Sequence, residues 1–132
     1  MVFRDTSDLF PTSLAQAVHW KDGRVILLDQ TALPQNENYL QCSTTQDLIH
    51  AIQRLAVRGA PAIGIAGAYG VVLAVQEVGS LNSEKKWEEL ESKLKNLESA
   101  RPTAVNLSWA INQLRKVVLD WRKKNTGNLM EQ

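Results

Sequence analysis

The chain has 132 residues, with 15 Lys and Arg against 14 Asp and Glu for a formal net charge of +1. That length holds one ordinary domain, and 44% hydrophobic with 22% charged residues excludes wholesale disorder. So balanced a charge leaves no global field to draw in nucleic acid or an anionic membrane, whereas a phosphate-sized ligand needs only a local site.

Residues 1–13 carry Arg4, Asp5 and Asp8 and no apolar core, so they read as an N-terminal extension and not a secretory signal. Ala17-Val18-His19-Trp20 and Arg24-Val25-Ile26-Leu27-Leu28-Asp29 flank Lys21-Asp22-Gly23, a hairpin pattern with residues that tolerate positive φ at the turn. A third short strand is expected at Glu37–Cys42, after the loop around Pro34. The hydrophobic period then changes from 2 to 3.6.

Four helices account for most of the remainder. The first is expected over about Thr45–Val57, capped by Thr44, with Asp47 in its first turn and a stripe of Leu48, Ile52 and Leu55 beside Ile49 and Ala56. The second is expected over about Pro61–Val78, with Pro61 at the first helical position, where its missing N–H costs nothing. From Gly59 to Gln76 no residue is charged, which reaches the lower length for a membrane span. Pro61, Gly64, Gly67, Gly70 and five alanines make it instead the buried central helix of a globular domain. The third helix is expected over Glu84–Ser99, capped by Ser83, with a seam of Trp87, Leu90, Leu94 and Leu97 and a solvated face of mixed charge. The fourth is expected over about Ala104–Lys124, capped by Thr103, with Leu107, Ile111, Leu114, Val118 and Trp121 as its stripe and Gly127 past its end. The fold class is therefore α+β, a small N-terminal antiparallel sheet (17–42) followed by a bundle of about four helices (44–124). Residues 14–126 form one unit, and 127–132 are a frayed end or the start of a linker.

One segment concentrates the chemistry. In Val57-Arg58-Gly59-Ala60-Pro61-Ala62-Ile63-Gly64 a glycine sits directly before a helix that starts at a proline. A helix start has free N–H groups and a partial positive charge. Gly59 lets a ligand approach the backbone, and Arg58 adds a fork of donors suited to phosphate. The same residues also read as a tight interhelical turn with a solvent-facing arginine, and on the residues alone both readings stand. The segment is neither a Walker loop nor a dinucleotide fingerprint, because no Gly-Lys-Ser/Thr and no G-x-G-x-x-G occurs. Gly64, Gly67 and Gly70 cost roughly 1 kcal/mol each relative to alanine, a cost that fits close crossing of another element and not ligand contact.

Ser99-Ala100-Arg101-Pro102-Thr103-Ala104-Val105-Asn106-Leu107 repeats the arrangement, with Arg101 just before a helix start and Asn106 in its first turn. On the residues alone an ordinary connection stopped by Pro102 is the simpler reading. His19 and His50 read as structural, and Cys42 as buried. A lone cysteine excludes an internal disulfide framework and a cysteine zinc site, and it fits a reducing compartment. Trp20, Trp87, Trp109 and Trp121 read as core or interface anchors. Residues 101–124 hold six Lys or Arg against Asp120, an excess that helix-end electrostatics can account for.

These motifs resemble the N-terminal part of the methylthioribose-1-phosphate isomerase family, which is related to the regulatory subunits of the eukaryotic initiation factor for guanine-nucleotide exchange. The resemblance rests on residues 57–64, on Gly67-Ala68-Tyr69-Gly70 and on Arg101-Pro102-Thr103-Ala104-Val105-Asn106-Leu107. Trp20-Lys21-Asp22-Gly23, Leu27-Leu28-Asp29-Gln30-Thr31 and Tyr39-Leu40 agree with it, so it covers roughly residues 14–124. It implies that Arg58, Gly59, Ala60 and Arg101 bind a sugar phosphate. It also implies that the catalytic cysteine and aspartate belong to a Rossmann-like domain absent here, so that no residue of this chain is catalytic. The chain then looks like a fragment or one half of a split protein. The implied reaction converts 5-methylthioribose 1-phosphate to 5-methylthioribulose 1-phosphate in methionine salvage. The setting is cytoplasmic, with a homodimer and no cofactor, metal, nucleic acid or membrane. Alternatives are a regulatory exchange-factor subunit, which has no need of the two arginines, and a related ribose-1,5-bisphosphate isomerase.

Overall fold

The computed structural model describes residues 17–54, 57 and 60–131, with side chains described up to Lys124 apart from that of Ala60. Three strands, β1 (Val18–Lys21), β2 (Arg24–Leu28) and β3 (Tyr39–Cys42), form an antiparallel meander in the order β1-β2-β3. Four helices follow: α1 (Thr45–Gln53), α2 (Ala60–Val78), α3 (Glu84–Glu98) and α4 (Val105–Glu131). The α+β class expected from the sequence is the one observed.

The hairpin forms because Asp22 and Gly23 both adopt positive φ, 52° and 78°, which gives a two-residue turn matching the strand twist. Lys21 then pairs with Arg24 and Val18 with Leu27. Alternation sends Val18, Trp20, Val25 and Leu27 into the core. The loop to β3 is pinned by Asp29, which accepts from the N–H and hydroxyl of Thr31 and pairs with Arg54 at 3.0 Å.

The Thr44 hydroxyl caps α1 by accepting from Asp47 N–H, and Ser83 caps α3 through Lys86 N–H. Helix α1 stops at Gln53, not near Val57, where Arg54 leaves helical geometry; Leu55 and Ala56 of the expected stripe lie outside the described residues. Helix α2 begins one residue early, at Ala60, which puts Pro61 second. The missing N–H is equally harmless there. It ends at Gly79, whose left-handed φ of 78° lets its N–H close on the Val75 carbonyl.

The expected cap Thr103 is exposed and makes no such bond. Ala104 takes the position before α4 because its N–H closes a turn on the Arg101 carbonyl, while its own carbonyl accepts from Leu107 and Ser108. At the other end α4 does not stop near Lys124. It runs through Gly127 to Glu131, at the modest cost of one helical glycine.

Helix α2 is the hub, packed against β1, β2, α1, α3 and α4. It is the one helix among the described residues that is long and apolar enough to cross a membrane, and half of that stretch is buried inside the fold. The glycine spacing explains how neighbours approach it. A Cβ on Gly67 would lie 2.9 Å from Leu107 Cδ1 and 3.3 Å from the Leu107 carbonyl oxygen, so α4 crosses there. A Cβ on Gly70 would lie 2.4 Å from Leu97 Cδ2 and 3.0 Å from Leu48 Cδ2. Those two glycines are packing positions, as their cost implied.

The charged face of α3 is more than a solvated surface. Its Lys93 pairs with Glu77 of α2 at 3.0 Å, and its Glu91 and Glu98 hold Arg115 of α4 at 3.1 and 2.6 Å. Glu84 pairs with Arg122, whose guanidinium lies 4.8 Å from the Trp87 ring centroid. Part of the basic excess of α4 is thus balanced across the helix pair.

Candidate anion site at two helix starts

The N-terminal ends of α2 and α4 lie together. Gly64, one turn into α2, faces Asn106, the second residue of α4. A Cβ placed on Gly64 would sit 3.7 Å from the Asn106 carbonyl oxygen and 3.9 Å from its Cβ, which is ordinary contact. Gly67 then meets Leu107 and Ile111 further along both helices. Two helix starts on one side bring two sets of free N–H groups and two positive dipole ends together. No side chain among the described residues caps Val105 or Asn106, since Thr103 does not and Ala104 has nothing to offer.

Between these first turns opens a groove of about 830 Å³. Pro61, Ile65 and Tyr69 line it from α2, and Val105, Trp109 and Leu114 from α4. Val105 is 76% and Trp109 63% exposed. The Tyr69 ring rests 6.0 Å from that of Trp20, which ties the groove wall to the sheet.

Arg101 is half-buried in the turn directly before α4. It makes no ion pair or side-chain hydrogen bond among the described residues. The contrast with other arginines is sharp: Arg24 donates to Gln41, Arg54 to Asp29, Arg115 to Glu91 and Glu98, and Arg122 to Glu84. Of the other residues singled out in the sequence, Ala60 opens α2, while Arg58 and Gly59 lie outside the described residues. The structure therefore brings the Ala60 and Arg101 segments to neighbouring helix starts.

The remaining candidates are structural. Cys42 is buried on β3, and burial above all pushes its thiol up to about 11, so it is no thiolate at neutral pH. His50 contacts Gln46 on α1, and His19 sits half-buried on β1 with its Nδ1 unpartnered among the described residues. Trp20 and Trp87 are core anchors, whereas Trp109 and Trp121 are exposed, the latter 6.1 Å from the Trp87 ring.

The groove walls escaped the sequence reading. Ile65 and Tyr69 share a face at i, i+4, as do Val105 and Trp109, each pair off the main core stripe. A second apolar stripe on a helix that already has one was the available signal.

A family model described as the initiation factor 2 subunit family matches residues 56–131. The chain is 50% identical over 99 residues to a methylthioribose-1-phosphate isomerase of Pelotomaculum thermopropionicum, covering 74% of this chain and 27% of that protein. It is 45% identical over 108 residues to one of Natranaerobius thermophilus, covering 82% and 31%. Among solved structures, 5-methylthioribose 1-phosphate isomerase from Pyrococcus horikoshii OT3 superposes with a TM-score of 0.74 at 34% identity, over 79% of this chain and 29% of that one. The delta subunit of translation initiation factor eIF-2B from A. fulgidus gives 0.67 at 43% identity, over 73% and 28%. The chain thus spans about a third of the length of the curated relatives it matches. A family model that matches more than half of these residues, together with two solved folds of the same topology, establishes that the chain belongs to the initiation factor 2 subunit family.

Proposed function

We propose that this chain is the substrate-binding N-terminal part of a methylthioribose-1-phosphate isomerase, which converts 5-methylthioribose 1-phosphate to 5-methylthioribulose 1-phosphate. The observation that carries the reading is Arg101, without an ion pair or side-chain hydrogen bond among the described residues, beside the adjoining starts of α2 and α4. In this reading Arg58, Gly59 and Ala60 reach the phosphate from the α2 side and Arg101 from the α4 side. Helix-terminal N–H groups share the charge, and each guanidinium adds a fork that matches phosphate oxygens.

The phosphate on C1 of the sugar blocks the simple ring opening that ordinary aldoses undergo. The reaction therefore needs an acid to open the ring and a water-poor site for the hydrogen transfer. This chain contributes the anion clamp and an apolar wall that excludes water. The family resemblance assigns catalysis to a cysteine and an aspartate and transfers neither role to a residue of this chain. A polypeptide of these residues alone is expected to bind substrate without turning it over, and turnover by the purified chain would contradict the assignment. The reading carries a homodimer in the cytoplasm, without cofactor.

The test is an equilibrium titration with inorganic phosphate. A charge-assisted hydrogen bond contributes roughly 1.5–3 kcal/mol, so Arg58→Ala and Arg101→Ala should each weaken binding by about tenfold or more. Arg58→Lys should also weaken it, because an ammonium lacks the fork. Unchanged affinity in both alanine variants would mean that the two segments are only turns.

A further inference from the structure

We propose that the outer face of α4, from Trp109 to Lys124, docks an acidic amphipathic helix of a partner protein. This surface is independent of the anion reading. Its lysines lie about three turns or more past the start of α4, so either assignment can fail without the other.

Exposed apolar area is concentrated on this one helix. Of the eight large hydrophobic residues exposed among the described residues, five belong to α4: Val105, Trp109, Val117, Leu119 and Trp121. Single exposed apolar residues are ordinary, whereas a run of them along one element marks a contact surface. Trp109, Gln113, Val117 and Trp121 follow at four-residue steps, a row that winds slowly round the helix. Trp109 and Val117 are each 63% exposed, and Trp121 is 49% exposed. At 1.5 Å of rise per residue the row and Lys124 beyond it span roughly 22 Å, which suits about four turns of a partner helix laid alongside. Tryptophans at both ends give such a helix two rigid anchors.

The charges on α4 decide what kind of helix fits. Toward α3 the guanidinium groups are neutralised, Arg115 by Glu91 and Glu98 and Arg122 by Glu84. Lys116, Lys123 and Lys124 are exposed and form no ion pair among the described residues, and Asp120 is the single acid amid them. The cationic excess that α3 leaves unbalanced therefore lies beside the apolar row. An acidic amphipathic helix brings apolar side chains to the row and carboxylates to the lysines. A second copy of this chain would bring the same three lysines and one aspartate, so self-pairing here sets like charge against like. A polyanion such as RNA would meet Asp120 within the patch, and a net charge of +1 supplies no field to collect it.

The experiment titrates the chain with two synthetic peptides of about five helical turns. Both carry leucines at i, i+4, i+7 and i+11; one has Glu and the other Lys at the flanking positions. Tryptophan fluorescence and amide NMR shifts report binding. At low salt the acidic peptide should bind about tenfold tighter than the basic one and shift the amides from Gln113 to Lys124. At about 0.5 M salt that preference should shrink by about threefold. Lys116→Gln combined with Lys124→Gln, at two exposed positions, should remove most of the preference. Val117→Ser, also exposed, should weaken the acidic peptide by about threefold and keep the preference. Equal affinity for the two peptides, or a preference untouched by the lysine changes, would reduce the row to a non-specific apolar patch and overturn the proposal. Three other results would overturn it too: binding of neither peptide, self-association that shifts these amides without peptide, or tighter binding of polyuridine or phosphatidylserine vesicles than of the acidic peptide.

Discussion

The two ends of α2 are built on opposite plans. At the C-terminal end Gln76, Glu77 and Gly79 are all engaged. Gln76 Nε2 donates to the Gly23 carbonyl at 3.0 Å, Glu77 accepts from Thr45 N–H and from Lys93, and Gly79 closes the helix with a left-handed turn. At the N-terminal end Pro61, Ile65 and Tyr69 face an open groove, and the neighbouring start of α4 has no side-chain cap among the described residues. The glycines follow the same division. Gly70 sits where leucines from α1 and α3 press on the backbone, while Gly64 has ordinary room. One helix thus serves as a core beam at one end and a wall of a site at the other.

The sharpest way to break this comparison is at Gly70. Leu48 and Leu97 are fully buried and have little space to retreat. Gly70→Val should cost about 2–3 kcal/mol by overpacking, which lowers Tm by roughly 10 °C in a thermal melt. A shift under about 2 °C would show that the closed end is looser than described.

Acid should weaken the closed end next. Hydrogen bonds from Thr31 hold the Asp29 carboxyl below its ordinary 3.8, aided by Arg54 and opposed by burial. Burial pushes Glu77 up, but the Thr45 N–H and the Lys93 ammonium outweigh it and leave the carboxyl below its ordinary 4.5. Both groups therefore bind protons less readily in the folded chain than in the unfolded one. Their stabilisation is complete above those ordinary values and is lost as pH falls through the lower folded values. Asp29→Asn and Glu77→Gln should each flatten the fall in stability between about pH 5 and pH 3, by about 1 kcal/mol, in melts across that range. Curves parallel to the wild type would contradict the linkage.

Gly64→Ala tests the open end. Its Cβ meets only ordinary contacts, so the helix-propensity gain of up to about 1 kcal/mol should appear as a rise of a few degrees in Tm. A loss would mean that α4 presses on α2 there too. The smallest expected effect is at Cys42, which should resist alkylation in the native chain at neutral pH because burial keeps it a thiol.

Much of the fold was legible because local chemistry and global packing agree. Asp22-Gly23 turned the hairpin, and Thr44 and Ser83 capped their helices. Gly67 and Gly70 marked close crossings. The misses occurred where one residue could serve several local patterns. Thr103 looked like a cap, but the turn from Arg101 to Ala104 moved the helix boundary one residue on. Gly127 looked like a stop, but a long helix absorbs one glycine. At the candidate site, the motif residues flagged the two helix starts. Their adjacency depends on how α4 crosses α2 at Gly64 and Gly67, a tertiary fact with no local signature. The groove walls went unread because Ile65, Tyr69 and Trp109 are compatible with a core helix until a neighbour is known to leave them uncovered.

The central claim is that the two helix starts together hold an anion while the far end of α2 does not. The most direct measurement is a phosphate titration of the chain followed by backbone amide NMR. The account predicts saturable shifts at Gly59, Ala60, Val105 and Asn106, none at Gln76 to Gly79, and loss of the shifts in Arg101→Ala. Shifts spread evenly over both ends of α2, or no shifts at the helix starts, would contradict it.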